Sequence, residues 1–252
     1  MSTAAETTTE TARLPRLGET APDFIAKSTH GEVRLSDYTS QGKWVLLFSH
    51  PSDFTPVCTT EFVEFARRWP EFDALNVQLI GVSIDSIYSH IAWVRDIEQH
   101  AAVEVKFPVV ADLDQRVARL YGMVHEATAD TAAIRAVFVI DPKQKVRTVL
   151  YYPMQLGRSI DELLRVVQGL QTVDANGVSC PADWKPGESV IVPAPATQAD
   201  AAKRTNGGGA GLDVKTWYLA KKELDVKPLT GSKTKDSPFG ADAGVASFGS
   251  HA

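Results

Sequence analysis

The residues around Cys58 have the composition of a reactive-thiol site. Cys58 and Cys180 are the only cysteines of the chain, and Cys58 follows an apolar run and a proline-rich loop at the start of a predicted helix. Free amide N–H groups and the positive end of a helix favour a thiolate there, which is the nucleophilic form of cysteine. Thr55 offers a hydroxyl on the same side of the loop, and Pro51 and Pro56 restrict its backbone. This combination favours a nucleophile over a buried, inert cysteine.

The sequence around this segment predicts a mixed α/β fold, whose strands and helices must position Cys58. Short β-rich apolar runs alternate with longer stretches of helical periodicity between residues 44 and 171. The segment Asp141-Pro142-Lys143 predicts the turn of a hairpin, and Ser159 with Glu162 three residues later predicts a capped helix start. The predicted strands are 44–48, 77–84, 107–110, 135–140 and 146–152, and the predicted helices are 59–72, 86–100, 114–121 and 159–170.

The composition changes after residue 192. Prolines and alanines are followed by the glycine-rich run 206–211, which is too rich in glycine for regular structure. The apolar segment 214–219 is predicted to be strand-like and to dock on the body or on a neighbouring subunit. The residues 231–252 are expected to stay mobile.

Composition and charge exclude several classes of function. The chain is 44% hydrophobic and 23% charged, as in ordinary globular proteins, and its formal net charge is -5 with a pI near 5.7. This charge argues against a nucleic-acid partner. The first ten residues lack the apolar run of a signal peptide, and no stretch is long enough to span a bilayer. We therefore expect a cytoplasmic protein without a membrane partner, whose thiols serve chemistry more than a structural disulfide.

The pattern Pro51-x-x-x-Thr55-x-x-Cys58 resembles the active-site motif of the peroxiredoxins, and the wider segment 48–61 resembles their peroxiredoxin-6-like subgroup. The resemblance continues through 81–86, 107–110, 135–140 and 157–158 and covers roughly residues 17–192. It implies a thioredoxin fold, a homodimer or higher homo-oligomer, and reduction of hydrogen peroxide and organic hydroperoxides without metal, flavin or other cofactor. A thiol reductant such as a thioredoxin-type protein is the implied second partner.

Roles for the motif residues follow from the same resemblance. It implies that Cys58 is the peroxidatic nucleophile, that Thr55 hydrogen-bonds the peroxide, and that Pro51 shields the pocket. Arg135 is expected to stabilise the thiolate and the departing oxygen, which matches the need for fixed positive charge at a developing anion. The alternative for Arg135 is a solvated charge at a strand end.

Three further residues are expected to support this centre. Glu61 and Arg158 resemble the family's supporting ion-pair network, although each type is also common as a surface charge. His50 belongs to the subgroup pattern and is expected either to tune Cys58 or a bound oxidant, or to be a packed loop histidine.

Cys180 lies in a segment of a different character. Val178-Ser-Cys-Pro-Ala-Asp-Trp184 resembles the block that carries the resolving cysteine of typical 2-Cys peroxiredoxins. This resemblance implies that Cys180 attacks the Cys58 sulfenic acid of a partner subunit to form an intersubunit disulfide. The alternatives are a 1-Cys peroxidase, with Cys180 an unreactive thiol, or a peroxide sensor or holdase chaperone on the same fold.

The expected domain organisation has three parts. Residues 1–12 form a flexible N-terminus, and 13–175 form the thioredoxin-fold peroxidase domain. Residues 176–252 form a C-terminal extension with the Cys180 block, the docking segment and a flexible end.

Overall fold

The computed structural model describes residues 14–125, 127–128, 131–207 and 209–224. Within them, the chain up to Arg158 forms one compact unit, and the chain from Ser159 onward forms a second. The sequence places a domain boundary after residue 175, and that assignment stays a prediction. The predicted flexible ends, 1–12 and 231–252, lie outside the described residues. None of the helices in the described part of the chain is long and apolar enough to cross a membrane.

The first unit is built on a seven-stranded mixed sheet in the order β2-β1-β5-β4-β3-β6-β7. The strands β3, β4 and β5 are parallel, and the neighbours on both sides pair antiparallel. The strands are β1 Ile25–Ser28, β2 Gly31–Arg34, β3 Trp44–Ser49, β4 Val77–Ser83, β5 Val109–Ala111, β6 Arg135–Ile140 and β7 Val146–Tyr152. The helices are α1 Leu35–Thr39, α2 Pro56–Ala74, α3 Ile87–Ala101 and α4 Arg116–Leu120.

The inner strand β3 is buried along its whole length. Successive side chains of a strand point to opposite faces, so a strand that is apolar throughout needs cover on both. Val45 and Leu47 belong to a large apolar cluster on one face, whereas Phe48 stacks on Phe65 of α2 with ring centroids 4.2 Å apart. Gly81 of β4 lies beneath this aromatic layer, where an added Cβ would lie 3.3 Å from the Phe62 ring. The close packing fixes α2 against the sheet.

Helix α2 begins directly after a loop that follows β3. Thr55 is its N-cap with extended backbone, and Pro56 occupies the first turn, where a missing N–H costs nothing. Helix α3 begins after Ser86, whose side chain accepts a hydrogen bond from the Ser89 amide. Helix α2 thus begins after β3, and helix α3 begins after the neighbouring parallel strand β4. Both helix starts therefore lie at the same edge of the sheet.

The second unit comprises α5 Ile160–Asn176, α6 Gln198–Thr205 and a three-stranded sheet. Its strands, in the spatial order β8-β10-β9, are β8 Val190–Val192, β9 Asp213–Val214 and β10 Ala220–Lys222. The Ser159 hydroxyl accepts from the Glu162 amide, which confirms the predicted helix start. Trp184 is fully buried against Val178 and Val190, and its indole N–H donates to the Glu188 carbonyl at 3.0 Å.

Every predicted strand and helix between residues 44 and 171 is present, and β6 and β7 form the predicted hairpin. Helix α5 continues to Asn176, because its stop signal is Gly177 in the left-handed conformation and not the polar residues before it. The strands β1 and β2 and the short helix α1 were not predicted, since each is too short to show a period.

The strand predicted for 214–219 is wrong. Only its first residue, Val214, is in a strand, and the chain turns back before β10. The amides of Lys215 and Thr216 donate to the Leu219 carbonyl, and the Thr216 hydroxyl accepts from the Leu219 amide. These bonds close the turn, so the aromatic residues Trp217 and Tyr218 lie exposed at its tip. Docking of this segment stays a prediction.

Candidate active site

Cys58 lies in the first turn of α2 and is fully buried. The loop before it is tied down at two points. The Thr55 hydroxyl donates to the Ser52 carbonyl at 2.8 Å, and the carboxylate of Asp85 accepts from the Asp53 amide at 3.0 Å and from the Ser52 hydroxyl at 3.2 Å. Because Asp85 follows β4, the loop is held to the end of the neighbouring parallel strand.

Arg135 reaches the cysteine from the first residue of β6. Its Nη1 donates to Cys58 Sγ at 3.3 Å and to Glu61 Oε2 at 2.8 Å, and its Nε donates to the Met154 carbonyl at 2.9 Å. Glu61 is three residues after Cys58 on α2 and therefore lies on the same side of the helix. The Arg135 side chain is 3% exposed, so its position is set by these acceptors and not by water.

Arg158 holds the other side of the Glu61 carboxylate. Its Nη2 and Nε donate to the two carboxylate oxygens at 2.5 and 2.8 Å, and its backbone amide also donates to Oε1 at 2.8 Å. Its Nη1 donates to the carbonyls of Ser49 and Ala136. A bidentate arginine whose Nη1 also donates to two backbone carbonyls is a rigid counterion.

The charges of this cluster favour an anion at sulfur. Burial alone would raise the pKa of Glu61, but the adjacent Arg158 and Arg135 charges outweigh burial and hold that pKa below its usual range. With Glu61 ionised, two arginine charges face one carboxylate in a buried site. The charges balance when Cys58 is a thiolate, and the Arg135 donor is already directed at its sulfur.

The structure therefore brings together Cys58, Glu61, Arg135 and Arg158, as the sequence predicts. Pro51 is buried in the loop before Cys58, and Thr55 is half-buried at the helix start. The Thr55 hydroxyl hydrogen is used by Ser52, which leaves the oxygen as an acceptor. The roles assigned to these residues stay predictions.

His50 is fully buried and belongs to a network that sequence reasoning did not find. Its Nε2 lies 2.9 Å from Asp53 Oδ1, and the other oxygen of Asp53 lies 2.8 Å from Nδ1 of His90 on α3. His90 Nε2 in turn lies 3.1 Å from the Val110 carbonyl. The His-x-x-Asp spacing of 50 and 53 was a local signal for one contact, whereas nothing in the sequence connects either residue to position 90.

These three side chains are also of the types that ligate metal ions. Their donor atoms lie within 4.8 Å of one another, and no other such group was found among the described residues. The contacts of 2.8 and 2.9 Å, however, are hydrogen-bond lengths between atoms that already satisfy each other. We therefore interpret the cluster as a hydrogen-bond network.

Cys180 lies in the second unit, in the segment that follows α5. Its Sγ contacts the Gly169 carbonyl at 3.7 Å as a weak donor, and the Trp184 ring lies on the same side of α5. Burial raises the pKa of the Cys180 thiol, and the nearby Arg165 charge only partly opposes this effect. This environment favours the protonated, less nucleophilic form.

Comparison with known proteins identifies the class. Residues 17–149 match the AhpC/TSA family, and residues 169–208 match the C-terminal domain of 1-Cys peroxiredoxin. The chain is 51% identical to peroxiredoxin 2 of Caldanaerobacter subterraneus subsp. tengcongensis over 84% of this chain and 94% of that protein.

Two solved structures are similar to the fold. One is a yeast mitochondrial 1-Cys peroxiredoxin, described as resolved via glutathione/thioredoxin systems, with a TM-score of 0.74, 41% identity, and coverage of 84% of this chain and 100% of that one. The other is a cysteine-to-serine mutant of peroxiredoxin 6 of Arenicola marina, with a TM-score of 0.72, 34% identity, and coverage of 82% and 97%.

The chain belongs to the peroxiredoxin family. Its fold is the thioredoxin fold of that family with a C-terminal extension, as the sequence predicts. Peroxiredoxins are thiol peroxidases, so the protein is an oxidoreductase that acts on hydroperoxides with a thiol reductant.

The buried carboxylate of Glu61 makes a prediction about stability. Its pKa is lowered on folding, so it contributes stability that is present above the unfolded-state value of about 4.3 and is lost as the pH falls through the folded-state pKa. Glu61→Gln should lower the free energy of unfolding by about 3 kcal/mol or more at pH 7, because two arginine charges lose their counterion. The deficit should narrow below about pH 4.

Urea unfolding between pH 3 and pH 7, followed by tryptophan fluorescence, measures this difference. Glu64→Gln is the matched control, since Glu64 lies on the same helix with a 42% exposed side chain paired to Arg67. It should change the free energy of unfolding by less than about 1 kcal/mol. A Glu61→Gln deficit as small as that of the control, or one that does not depend on pH, would contradict the role given to Glu61.

Proposed function

We propose that the protein reduces hydrogen peroxide and organic hydroperoxides with Cys58 as the peroxidatic nucleophile. The observation that carries this proposal is the contact of Arg135 Nη1 with Cys58 Sγ at 3.3 Å, in a buried site whose charges balance with a thiolate. The match to the AhpC/TSA family over residues 17–149 supports it. An open cavity lined by Thr55, Pro56, Thr59 and Trp93 lies at the start of α2.

The proposed first step is a displacement at oxygen. The Cys58 thiolate attacks the terminal oxygen of the hydroperoxide, the S–O bond forms, and the O–O bond breaks. Sulfur is oxidised to the sulfenic acid, and the departing oxygen takes up a proton to leave as water or an alcohol. Arg135 stabilises charge on the thiolate and then on the departing oxygen, while Thr55 positions the peroxide and Pro51 shields the sulfenic acid.

For the second step we propose a 1-Cys route with an external thiol, of the glutathione or thioredoxin type. The 1-Cys C-terminal domain match over 169–208 includes Cys180, and the yeast neighbour is described as a 1-Cys enzyme resolved by such systems. An external thiolate attacks the sulfenic sulfur, water leaves, and a second thiol reduces the mixed disulfide. The raised pKa of Cys180 in its half-buried site supports this choice, because exchange requires a thiolate.

The second candidate is resolution by Cys180 of a partner subunit. One observation favours it, namely the Val178-Ser-Cys-Pro-Ala-Asp-Trp184 block with its resemblance to the typical 2-Cys resolving segment. It requires a homodimer or higher homo-oligomer, which we propose on the same resemblance. A peroxide sensor or holdase would use the same chemistry at Cys58 but would consume peroxide only stoichiometrically.

Cysteine variants separate these routes. Cys58→Ser should abolish turnover of hydrogen peroxide, since no other nucleophile is proposed. Cys180→Ser, the matched control, should turn over at the wild-type rate with glutathione or thioredoxin and give no covalent dimer on a non-reducing gel. Slow cycling of Cys180→Ser together with a Cys58–Cys180 disulfide in the wild type would establish the second candidate. Turnover by Cys58→Ser would contradict the proposed function.

Arg135 variants test the charge at the reacting centre. Arg135→Ala should lower the second-order rate constant of Cys58 oxidation by about 10² to 10³, the usual effect of removing one oxyanion donor. Arg135→Lys should recover only part of this loss, because a point charge cannot contact Cys58, Glu61 and the Met154 carbonyl together. Stopped-flow oxidation monitors the rate, and a wild-type rate in Arg135→Ala would exclude this role.

A further inference from the structure

The buried network of His50, Asp53 and His90 has no part in the mechanism derived so far. Both histidine rings are fully buried, and the Asp53 side chain is 1% exposed. A charged group at such depth is retained only when its partners compensate for lost water. The hydrogen bonds of the network must therefore compensate for the burial of Asp53. Their geometry also shows which nitrogen of each histidine carries a hydrogen.

The two contacts of His90 fix where its protons lie. The Val110 carbonyl is an acceptor only, so Nε2 of His90 carries a hydrogen. The neutral ring then has an acceptor at Nδ1, yet Nδ1 faces an oxygen of Asp53 at 2.8 Å. One further proton must lie between His90 and Asp53. Burial would raise the pKa of Asp53, but its hydrogen bonds to His50 and His90 outweigh burial and lower that pKa well below its usual value. The hydrogen therefore lies in the contact between His90 Nδ1 and Asp53 Oδ2, with Asp53 as the acidic partner.

The contact between Asp53 and His90 in turn fixes the tautomer of His50, because it leaves the other oxygen of Asp53 as an acceptor. Asp53 as a carboxylate can only accept, so Nε2 of His50 donates to it across 2.9 Å. Burial lowers the pKa of His50, which keeps the ring neutral. The other nitrogen, Nδ1, is consequently an acceptor, and it has no hydrogen-bond partner among the residues that the structure describes. An unsatisfied buried acceptor costs free energy and calls for a reason.

The position of His50 suggests that reason. Its ring contacts Phe62, with centroids 4.9 Å apart, and Phe62 lies one turn after Cys58 on the same side of α2. His50 also directly precedes the loop that carries Pro51 and Thr55. An acceptor held in this place is suited to the O–H of a hydroperoxide whose terminal oxygen Cys58 attacks.

We propose that His90 is a positioning residue of the peroxidase reaction, which acts through Asp53 to hold His50 in the Nε2–H tautomer with Nδ1 free to accept a hydrogen bond from the hydroperoxide. The inference rests on the proposed role of Cys58. It adds a residue on α3, far from the active-site motif in sequence, to the determinants of that reaction.

Two variants of His90 of similar size test the proposal. His90→Asn retains an N–H donor at the position of Nδ1 and can still bond Asp53, whereas His90→Leu cannot. Both lose the bond to the Val110 carbonyl, so a merely structural effect should be alike in the two. His90→Leu should slow Cys58 oxidation at low peroxide concentration by about tenfold, since one hydrogen bond to the reacting hydroperoxide is lost. His90→Asn should recover most of this rate.

The tautomer of His50 is measured by ring ¹⁵N NMR on the reduced protein, with His50→Asn used to assign its signals. The wild type and His90→Asn should show a protonated Nε2 and an unprotonated Nδ1, and His90→Leu should show a mixture of tautomers. If His90→Leu does not fold, Asp53→Leu replaces it, with Asp53→Asn as its conservative partner. This measurement needs no turnover. The tautomer of His50 can therefore be determined even if activity of Cys58→Ser contradicted the proposed function.

Several results would overturn the inference. One is a wild-type His50 protonated at Nδ1, and another is an equal loss of rate in His90→Asn and His90→Leu without a change of tautomer. A third is one equivalent of Zn²⁺ retained by the wild-type protein after dialysis and lost in His90→Leu, because the ring nitrogens would then be metal ligands.

Discussion

The Glu61 carboxylate is the constraint on which the rest of the site depends. It is buried on α2 between two arginines, and removing one partner of such a group costs several kcal/mol. Arg158 binds both carboxylate oxygens, whereas Arg135 shares one nitrogen between Glu61 and the Cys58 sulfur. The ion pairs thus hold a donor at the sulfur before any peroxide arrives. Such preorganised charge requires no rearrangement at the moment of reaction.

A second set of polar contacts fixes the loop in front of the helix. Asp85 binds the loop to the end of β4, and the His50–Asp53–His90 network binds it to α3. Between these contacts lie two fully buried rings, since Phe62 contacts the His50 ring and Phe48 contacts the Arg158 guanidinium. Three elements that are distant in sequence, namely the end of β4, helix α3 and strand β6, therefore support Cys58 and its loop. Cys180 lies in the second unit, where its thiol contacts the Gly169 carbonyl.

Much of the fold was predictable because its strands and helices have clear periods. The buried run of β3 and the apolar positions of α2, spaced by three and four residues, indicate their elements without further information. The Pro51, Thr55 and Cys58 spacing, together with Arg135, indicated the site. His90 was not predictable, since its contact with Asp53 depends on how α3 packs beside the loop. The segment 214–219 was misread because Trp217 and Tyr218 have high strand propensity, yet the Thr216 turn places them at a tip.

The most direct test of this account is to trap the oxidised cysteine after a single turnover. The reduced protein is mixed with one equivalent of hydrogen peroxide in the presence of dimedone, and the labelled cysteine is identified by peptide mass spectrometry. We predict a sulfenic acid adduct at Cys58 in the wild type, none at Cys180, and a much slower appearance of the Cys58 adduct in Arg135→Ala. Labelling first at Cys180, or at Cys58 with equal speed in both proteins, would contradict the claim that the arginine cluster makes Cys58 the nucleophile.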